Sequence, residues 1–381
     1  MNSDTKHKAR VPSHPPRTKR VKIRVERVDE EHRELLLNFH RREWDGGAGA
    51  TGRQPNVSIP QWLCLRGDEP IGYLGTLPAR FRLAGRDIDG HWFKGLWVTQ
   101  AYRSGPVGHM LVERGVQDLG FVGAHVVAAP ARRLMESVGL RPRCTLVDYV
   151  RLLRVGKVLK SADLSTNGLP AGVQKAIRFV RRTPLPELAG AFGFGAWSAV
   201  AALADQSAAG LTSKTGWSAL STHFDELWIR LEDQVRVSVV RNAARLRDRY
   251  SSHPGYELVS VWRGEILEGW AVLRQPNQSA DPRLANLRVA LISDVFFPIQ
   301  NPGAGIAAIG AAETLARSWG CDAIVCSGNH SSLGTVLSRR GYLPASRKVQ
   351  VLTSGGTDDE EQQGAGKIWV TRGDARSDAS F

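Results

Sequence analysis

The sequence predicts a mixed α/β protein made of two tandem copies of one domain, each a mostly antiparallel central sheet flanked by helices. Three observations lead there. At 381 residues the chain exceeds one ordinary domain, and its 42% hydrophobic and 23% charged residues are the mixture of a folded globular protein. A set of landmarks occurs twice in one order at an offset near 200 residues. Between those landmarks the apolar pattern alternates between the two-residue period of strands and the helical one.

The repeat is read from paired residues. Arg66-Gly67 followed by Gly72-Tyr73 recurs as Arg263-Gly264 followed by Gly269-Trp270, and Arg103 and Gly108 correspond to Gln300 and Gly305. Gly120 corresponds to Gly320, and Gly139 before Leu140 to Gly341 before Tyr342. In the first copy Val21 to Val28 alternates as a strand, and Glu30 to Trp44 has helical spacing through Leu35, Leu36, Leu37 and Phe39. Trp62 to Leu65 and Gly72 to Leu77 read as a hairpin around Arg66-Gly67-Asp68-Glu69-Pro70, and Trp92 to Thr99 as a further strand. From Val107 the period is helical. Phe121 to Ala128 returns to a buried strand, Ala131 to Val138 is a short helix stopped by Gly139, and Cys144 to Leu153 closes the copy.

The second copy repeats this from Phe224, with a basic helix from Val240 to Tyr250 and strands at 257–262, 269–273 and 289–297. A helix from Ile306 to Trp319, a strand from Asp322 to Cys326 and a helix ending at Arg340 follow. A final hairpin, 348–353 with 367–371, spans the acidic loop Asp358 to Glu361. The expected boundaries are a disordered basic tail 1–20, an N-terminal domain 21–156, a helical linker 157–221, a C-terminal domain 222–373 and a tail 374–381. The linker contains an expected helix from Ala171 to Arg182 and an apolar run from Leu188 to Ala204, which is 17 residues long and broken by Ser198, too short to predict a membrane span.

Composition narrows the function classes. Of the net charge of +14, half sits in residues 1–24, where eight Lys or Arg face the single acid Asp4. The excess is therefore a solvated arm rather than a nucleic-acid surface. Four irregularly spaced cysteines exclude a disulfide framework and a CxxC metal site. The N-terminus shows no apolar stretch of a secretory signal, so a cytoplasmic location is expected.

Each copy contains a strand, a glycine turn and a helix, and that junction binds anions. Unpaired amides at a helix N-terminus, aided by the helix dipole, point into a turn that glycine lets a phosphate approach. Neither a Walker loop nor a Rossmann turn is spelled. The second copy reads Gln300-Asn301-Pro302-Gly303-Ala304-Gly305; the first reads Val98-Thr99-Gln100-Ala101-Tyr102-Arg103-Ser104-Gly105-Pro106-Val107-Gly108. These resemble the acyl-CoA loop of the Gcn5-related N-acetyltransferase (GNAT) superfamily, [Q/R]-x-x-G-x-[G/A], with Pro106 in place of a glycine in the first copy. The short helices ending at Gly139 and Gly341 resemble the superfamily's next landmark. The similarity covers 21–155 and 222–372.

The resemblance implies direct transfer of an acyl group, most simply acetyl from acetyl-CoA, to a primary amine of a small metabolite or sugar. It implies cofactor contacts from Val98, Arg103, Ser104, Gly105, Val107 and Gly108 in the first copy, and from Gln300, Gly303, Ala304 and Gly305 in the second. The position that holds an acidic tyrosine in many members is Met135 in the first copy and Leu337 in the second. Candidate bases are Asp294, in the second cradle strand among Leu291, Ile292, Val295 and Phe296, His91, which begins the corresponding first strand, and His125 in the buried strand that follows. The first copy, which keeps the Val-x-x-x-Tyr-Arg approach, is the preferred working site. Two other readings stand beside this one. One is a Fem-like transferase taking aminoacyl-tRNA, with Arg241, Arg245, Arg247 and Arg249 meeting RNA phosphates; the other is a catalytically inactive binding protein of the same fold.

Overall fold

A computed structural model describes residues 22–44, 56–126, 128–154, 156–158, 206–276, 286–355 and 367–375. The basic tail, the expected linker helix, the 188–204 run and the acidic loop lie outside these residues.

The first repeat runs β1 (Ile23–Arg27), α1 (Arg33–Trp44), β2 (Trp62–Arg66), β3 (Glu69–Leu83), β4 (Arg86–Val98), α2 (Val107–Leu119), β5 (Val122–Val126), α3 (Ala129–Ser137) and β6 (Arg141–Leu152). This is the order expected from the sequence. The second runs β7 (Thr212–Thr215), α4 (His223–Leu231), β8 (Val237–Val239), α5 (Ala243–Leu246), β9 (Tyr256–Arg263), β10 (Ile266–Arg274) and β11 (Val289–Phe296). It closes with α6 (Pro302–Ser318), β12 (Ala323–Gly328), α7 (Ser331–Arg339), β13 (Leu343–Thr353) and β14 (Ile368–Trp369).

The repeat is visible in local geometry. α3 and α7 end alike: Gly139 and Gly341 take φ of 94° and 81°, and the next amides, of Leu140 and Tyr342, donate to the carbonyls of Met135 and Leu337. Only glycine adopts that left-handed cap without strain, so the matched glycines encode matched helix ends. β4 and β11 carry matched bulges. The β3–β4 register slips between Tyr73/Trp97 and Gly75/Lys94, and the β10–β11 register slips past Ser293.

All fourteen strands among the described residues belong to one sheet, whose main path is β1-β2-β3-β4-β5-β13-β6-β12-β11-β10-β9-β7. The two halves meet by exchanging their closing strands. β13, from the second repeat, pairs with β5 of the first, Gln350 opposite Val126. β6, from the first, pairs with β12 of the second, Cys326 opposite Tyr149. β6 and β13 pair with each other at the centre. Buried ion pairs fasten the joint: Arg372 donates to both carboxylate oxygens of Asp148 at 3.1 and 2.7 Å, and Arg151 of β6 donates to Glu313, which also accepts from Arg340 at 2.9 and 2.8 Å.

Three local expectations are corrected. β14 does not form a hairpin with β13 but pairs in parallel with β8, which in turn pairs with β3. The expected basic helix from Val240 to Tyr250 is the four-residue α5 followed by a π-turn over Arg247–Ser251. Asp374, expected in the terminal tail, is fully buried in a short turn, Arg372–Ala375. β7 carries no apolar alternation, since all four residues of Thr-Ser-Lys-Thr are exposed on the sheet edge.

Candidate functional site

In both repeats the strand before the glycine turn and the strand after the following helix run parallel and then part. β4 and β5 pair from His91/Val122 to Phe93/Ala124; β11 and β12 pair from Val289/Ala323 to Ile292/Cys326. The bulge in the strand before the turn follows directly, so each pair opens as a V at the same place. A bulge interrupts the ladder and bends its strand, which is what a V between parallel strands requires.

The first V is open. Lys94 and Gly95 are exposed, Leu96, Trp97 and Val98 half-buried, and the turn Arg103 to Pro106 is exposed throughout. α2 starts at Val107 with Pro106 as its N-cap and no side chain capping it. The amides of Val107, Gly108 and His109 form the first helical turn, where no intrahelical acceptor is within reach. Pro106, which has no N–H, stands before the helix, where it removes no helical bond. Gly105 donates its amide to Tyr102 O, so it does not replace the missing donor by a register shift. A Cβ at Gly105 would meet only that carbonyl, at 3.4 Å, so space above the turn is free. Arg103 donates to Val98 O at 3.0 Å, with its guanidinium 5.3 Å from the Trp97 ring centre, and Arg66 donates to Tyr102 Oη at 2.6 Å. Two cations are thus held beside free amides, the arrangement a phosphate selects.

The second V is filled by the chain itself. Its cradle strand is buried from Ala290 to Phe296, and Gly303, Ala304, Gly305 and Ile306 are buried too. Pro302, the first residue of α6, lacks an N–H; Asn301 caps the Ala304 amide with its side chain. The backbone of Ser207 lies against Gly303, leaving no room for a Cβ, and the Phe297 ring would stand 2.7 Å from a Cβ at Gly305. Inside the V, Trp369 donates its indole N–H to Val295 O at 2.9 Å, and Thr371 bridges Gly328. Of the cofactor residues expected from the sequence, Val98, Arg103, Ser104, Gly105, Val107 and Gly108 come together at an accessible turn. Gln300, Gly303, Ala304 and Gly305 come together at a covered one.

No protein-family model matches the sequence, and no curated protein matches it. Solved structures do. A GCN5-related N-acetyltransferase from Anabaena variabilis superposes with a TM-score of 0.54 at 12% identity, over 87% of this chain and 72% of that one. A probable N-acyltransferase from Enterococcus faecalis gives 0.53 at 10%, over 87% and 72%. Saccharomyces cerevisiae N-myristoyltransferase with bound myristoyl-CoA gives 0.53 at 11%, over 93% and 90%. The protein has the GNAT fold.

Within that fold the candidate bases occupy three different environments. His125 lies on β5 one residue past the last β4–β5 pair, at the apex of the open V, and keeps part of its surface accessible. Its ring meets Trp92 edge-on with centroids 4.7 Å apart. Burial pushes its pKa down to about 4, Asp374 opposing and Arg372 and Arg249 adding to the shift, so the imidazole is neutral near pH 7. His91 lies on the closed side of the apex, with its Nδ1 buried and without a partner among the described residues. Burial, reinforced by Arg27, lowers its pKa as well.

Asp294 has no surface at all. It accepts from Arg241 Nε at 3.1 Å, Thr371 Oγ1 at 3.0 Å and the Val295 amide at 2.9 Å. Arg241 also donates to both oxygens of Asp374, at 2.9 and 2.8 Å, and Arg249 donates to Asp374 at 3.0 Å. Burial raises the Asp294 pKa and the Arg241 guanidinium pulls it back. Two arginines and two aspartates therefore balance in a closed cluster beneath the second V. Asp374 and Arg249 carried no signal in the sequence that linked them to it. The cluster also removes Arg241 from any RNA-facing surface and commits Arg249 to Asp374, leaving Arg245 and Arg247 of the expected basic stripe. Met135 and Leu337, the positions where the resemblance implies a proton-donating tyrosine, are buried apolar core.

Proposed function

We propose that the protein is an acyl-CoA-dependent N-acyltransferase, acetyl-CoA being the simplest donor, and that the first repeat is its donor site. The observation that carries this reading is the contrast between two matched cradles: the amides at the start of α2 are uncovered, whereas those at the start of α6 are missing, capped or covered. The residues of the first V fit the cofactor. The Val107, Gly108 and His109 amides, with Arg103 and Arg66 nearby, would hold its phosphates, and the exposed edge of β4 from Lys94 would align its extended arm. When bound, an acyl thioester supplies the carbonyl that the acceptor amine attacks.

The chain's own residues account for the proton. His125 at the apex is neutral and partly accessible, with its Nε2 buried, so it is proposed to take the proton that the amine gives up through a water at its accessible edge. Its low pKa makes it a weak base, and a neutral imidazole also serves to orient an amine lone pair. Asp294 is proposed as a structural anion that holds Arg241, and His91 as a group supporting the closed end of the V. The acceptor class is a primary amine. No described helix is long and apolar enough to cross a membrane.

The test is calorimetric titration of acetyl-CoA into the full chain beside Gly105→Glu and Gly108→Glu. Gly105→Glu puts a carboxylate at the open turn, and Gly108→Glu puts one in the first turn of α2, where its Cβ must press on Leu134, 3.1 Å away. The expected result is one site per chain, weakened at least tenfold in both variants while their thermal unfolding stays cooperative. Absence of binding to the wild-type chain, or unchanged binding in Gly105→Glu, would overturn the reading.

A further inference from the structure

The two repeats enclose a cleft where β3 faces α5 and the π-turn. Its floor is Leu77 to Arg80, and its wall is Arg245, Asp248 and Arg249. The floor is largely aliphatic, with Ala79 buried, and the wall is charged. Two of the three arginines are engaged: Arg249 with Asp374 at 3.0 Å, and Arg80 with Asp89 and Asp87 at 3.2 and 3.6 Å. Arg245 is half-buried and has no anionic partner among the described residues. Its charge faces a cleft floored by apolar side chains, where the attraction for an anion is stronger than at an open surface. Asp248 at the rim is exposed and has no cationic partner among the described residues, which disfavours a polyanion and suits a ligand carrying both signs.

Between the cleft and the apex of the open V stands one buried side chain, Trp92. Leu77 stands opposite Trp92 in the β3–β4 ladder, and Trp92 touches His125 with ring centroids 4.7 Å apart. Cross-strand partners are about 5 Å apart. The Leu77 end of the cleft and the His125 imidazole are therefore separated by a distance on the order of 10 Å, on the face of the sheet that the second repeat covers.

We infer that this inter-repeat cleft binds the anionic end of the acceptor, a carboxylate or phosphate paired with Arg245, while an extended aliphatic stretch over Leu77 presents the acceptor's amine to the V. The inference rests on the first repeat being the donor site, and it narrows the acceptor to an amine separated from its anion by several bonds, such as a terminal amine on an acidic chain. An amine adjacent to its anion is too short to span the roughly 10 Å between the Leu77 end of the cleft and the apex.

The experiment uses the full chain saturated with acetyl-CoA and titrates three probes: 6-aminohexanoate, 5-aminopentyl phosphate and hexylamine. At least one anionic amine is expected to bind tenfold or more tightly than hexylamine, and which of the two is tighter identifies carboxylate or phosphate. Arg245→Ala, a substitution at a half-exposed position outside the donor cradle, is expected to abolish that preference while leaving acetyl-CoA affinity unchanged. Equal binding of all three probes, no binding by any, or a preference that survives Arg245→Ala would overturn the inference. Acetyl-CoA binding is recorded first in the same cell, so failure of the donor-site reading shows as a lost first titration and failure of the cleft as a flat second one.

Discussion

Trp369 donates its indole N–H to the carbonyl oxygen of Val295 at 2.9 Å, inside the V of the second repeat. Trp369 is almost fully buried, and its ring packs edge-on against Phe296 and Phe297. The bond therefore satisfies a β11 carbonyl that the bulge and the parting of β12 leave without a ladder partner. Trp369→Phe keeps much of the packing and removes the donor. The expected cost is about 1–3 kcal/mol in urea unfolding, from the buried carbonyl left unpaired. Acetyl-CoA binding should keep its affinity and a stoichiometry of one. A stoichiometry rising to two would mean that the second V is a working donor site held shut by its own chain.

Two glycines in equivalent turns separate the open cradle from the covered one. At Gly303 a Cβ would run into the Ser207 backbone, whereas at Gly105 it meets one carbonyl at 3.4 Å. Neither glycine has a positive φ, so alanine is strained at neither by its backbone. Gly303→Ala is expected to destabilise by about 1–3 kcal/mol through overpacking, and Gly105→Ala to stay within about 0.5 kcal/mol of the parent. Thermal unfolding of the pair checks this. Similar melting temperatures would mean that the segment around Ser207 does not press on the second cradle.

The order of elements was legible because the repeat spells it twice. The glycines at 120, 139, 320 and 341 mark helix ends by backbone geometry alone, and the apolar texture of Trp62 to Leu65 or Val289 to Phe296 marks buried strands. The exchange of β6 and β13 was not legible. Their apolar patterns fit a central position in either half, and the ion pairs that tie β6 to the second repeat, Arg372 with Asp148 and Arg151 with Glu313, join residues far apart in sequence. Likewise Arg241 and Arg249 read as one stripe of a basic helix because their partners Asp294 and Asp374 are 53 and 133 positions away from Arg241. The cradle glycines marked the turns before α2 and α6, but that the second turn is covered depends on Ser207 and Trp369, which no local pattern connects to it.

The exchanged strands make each half dependent on the other. Without β13, the ladder of β5 and one ladder of β6 lose their partners, and the apolar face formed by Leu146, Val349 and Val351 is cut in two. Residues 1–158 expressed alone would present two long unpaired edges and are expected to aggregate. Expressed together with residues 206–381, they should form a soluble one-to-one complex. Size-exclusion chromatography with light scattering distinguishes these outcomes. A soluble monomer of 1–158 would show that β6 can close its own half.

His125 makes stability depend on pH in a defined direction. Its folded pKa of about 4 lies below the ordinary 6.5, so between those values the unfolded chain binds more protons than the folded one. Stability is therefore fully present above about pH 6.5 and falls as the pH drops toward 4. His40, packed edge-on against Tyr73 with ring centroids 4.8 Å apart, is lowered by burial to about 4 and acts in the same direction. His125 contributes at most about 3 kcal/mol, since one proton bound or released across a pH interval changes stability by about 1.4 kcal/mol for every pH unit, and the more exposed His40 contributes less. His32 opposes them: held by Asp29 at 2.7 Å and Glu26 at 2.9 Å, its pKa is raised, so its contribution is present below pH 6.5 and lost as the pH climbs through the raised value. The urea midpoint of the wild-type chain should fall steadily from about pH 6.5 to about 4.5, and His125→Gln should flatten that slope by up to one proton. An unchanged slope would mean that the imidazole at the apex of the V is hydrated and titrates normally, and the proton-accepting role proposed for it would then operate from an unperturbed pKa.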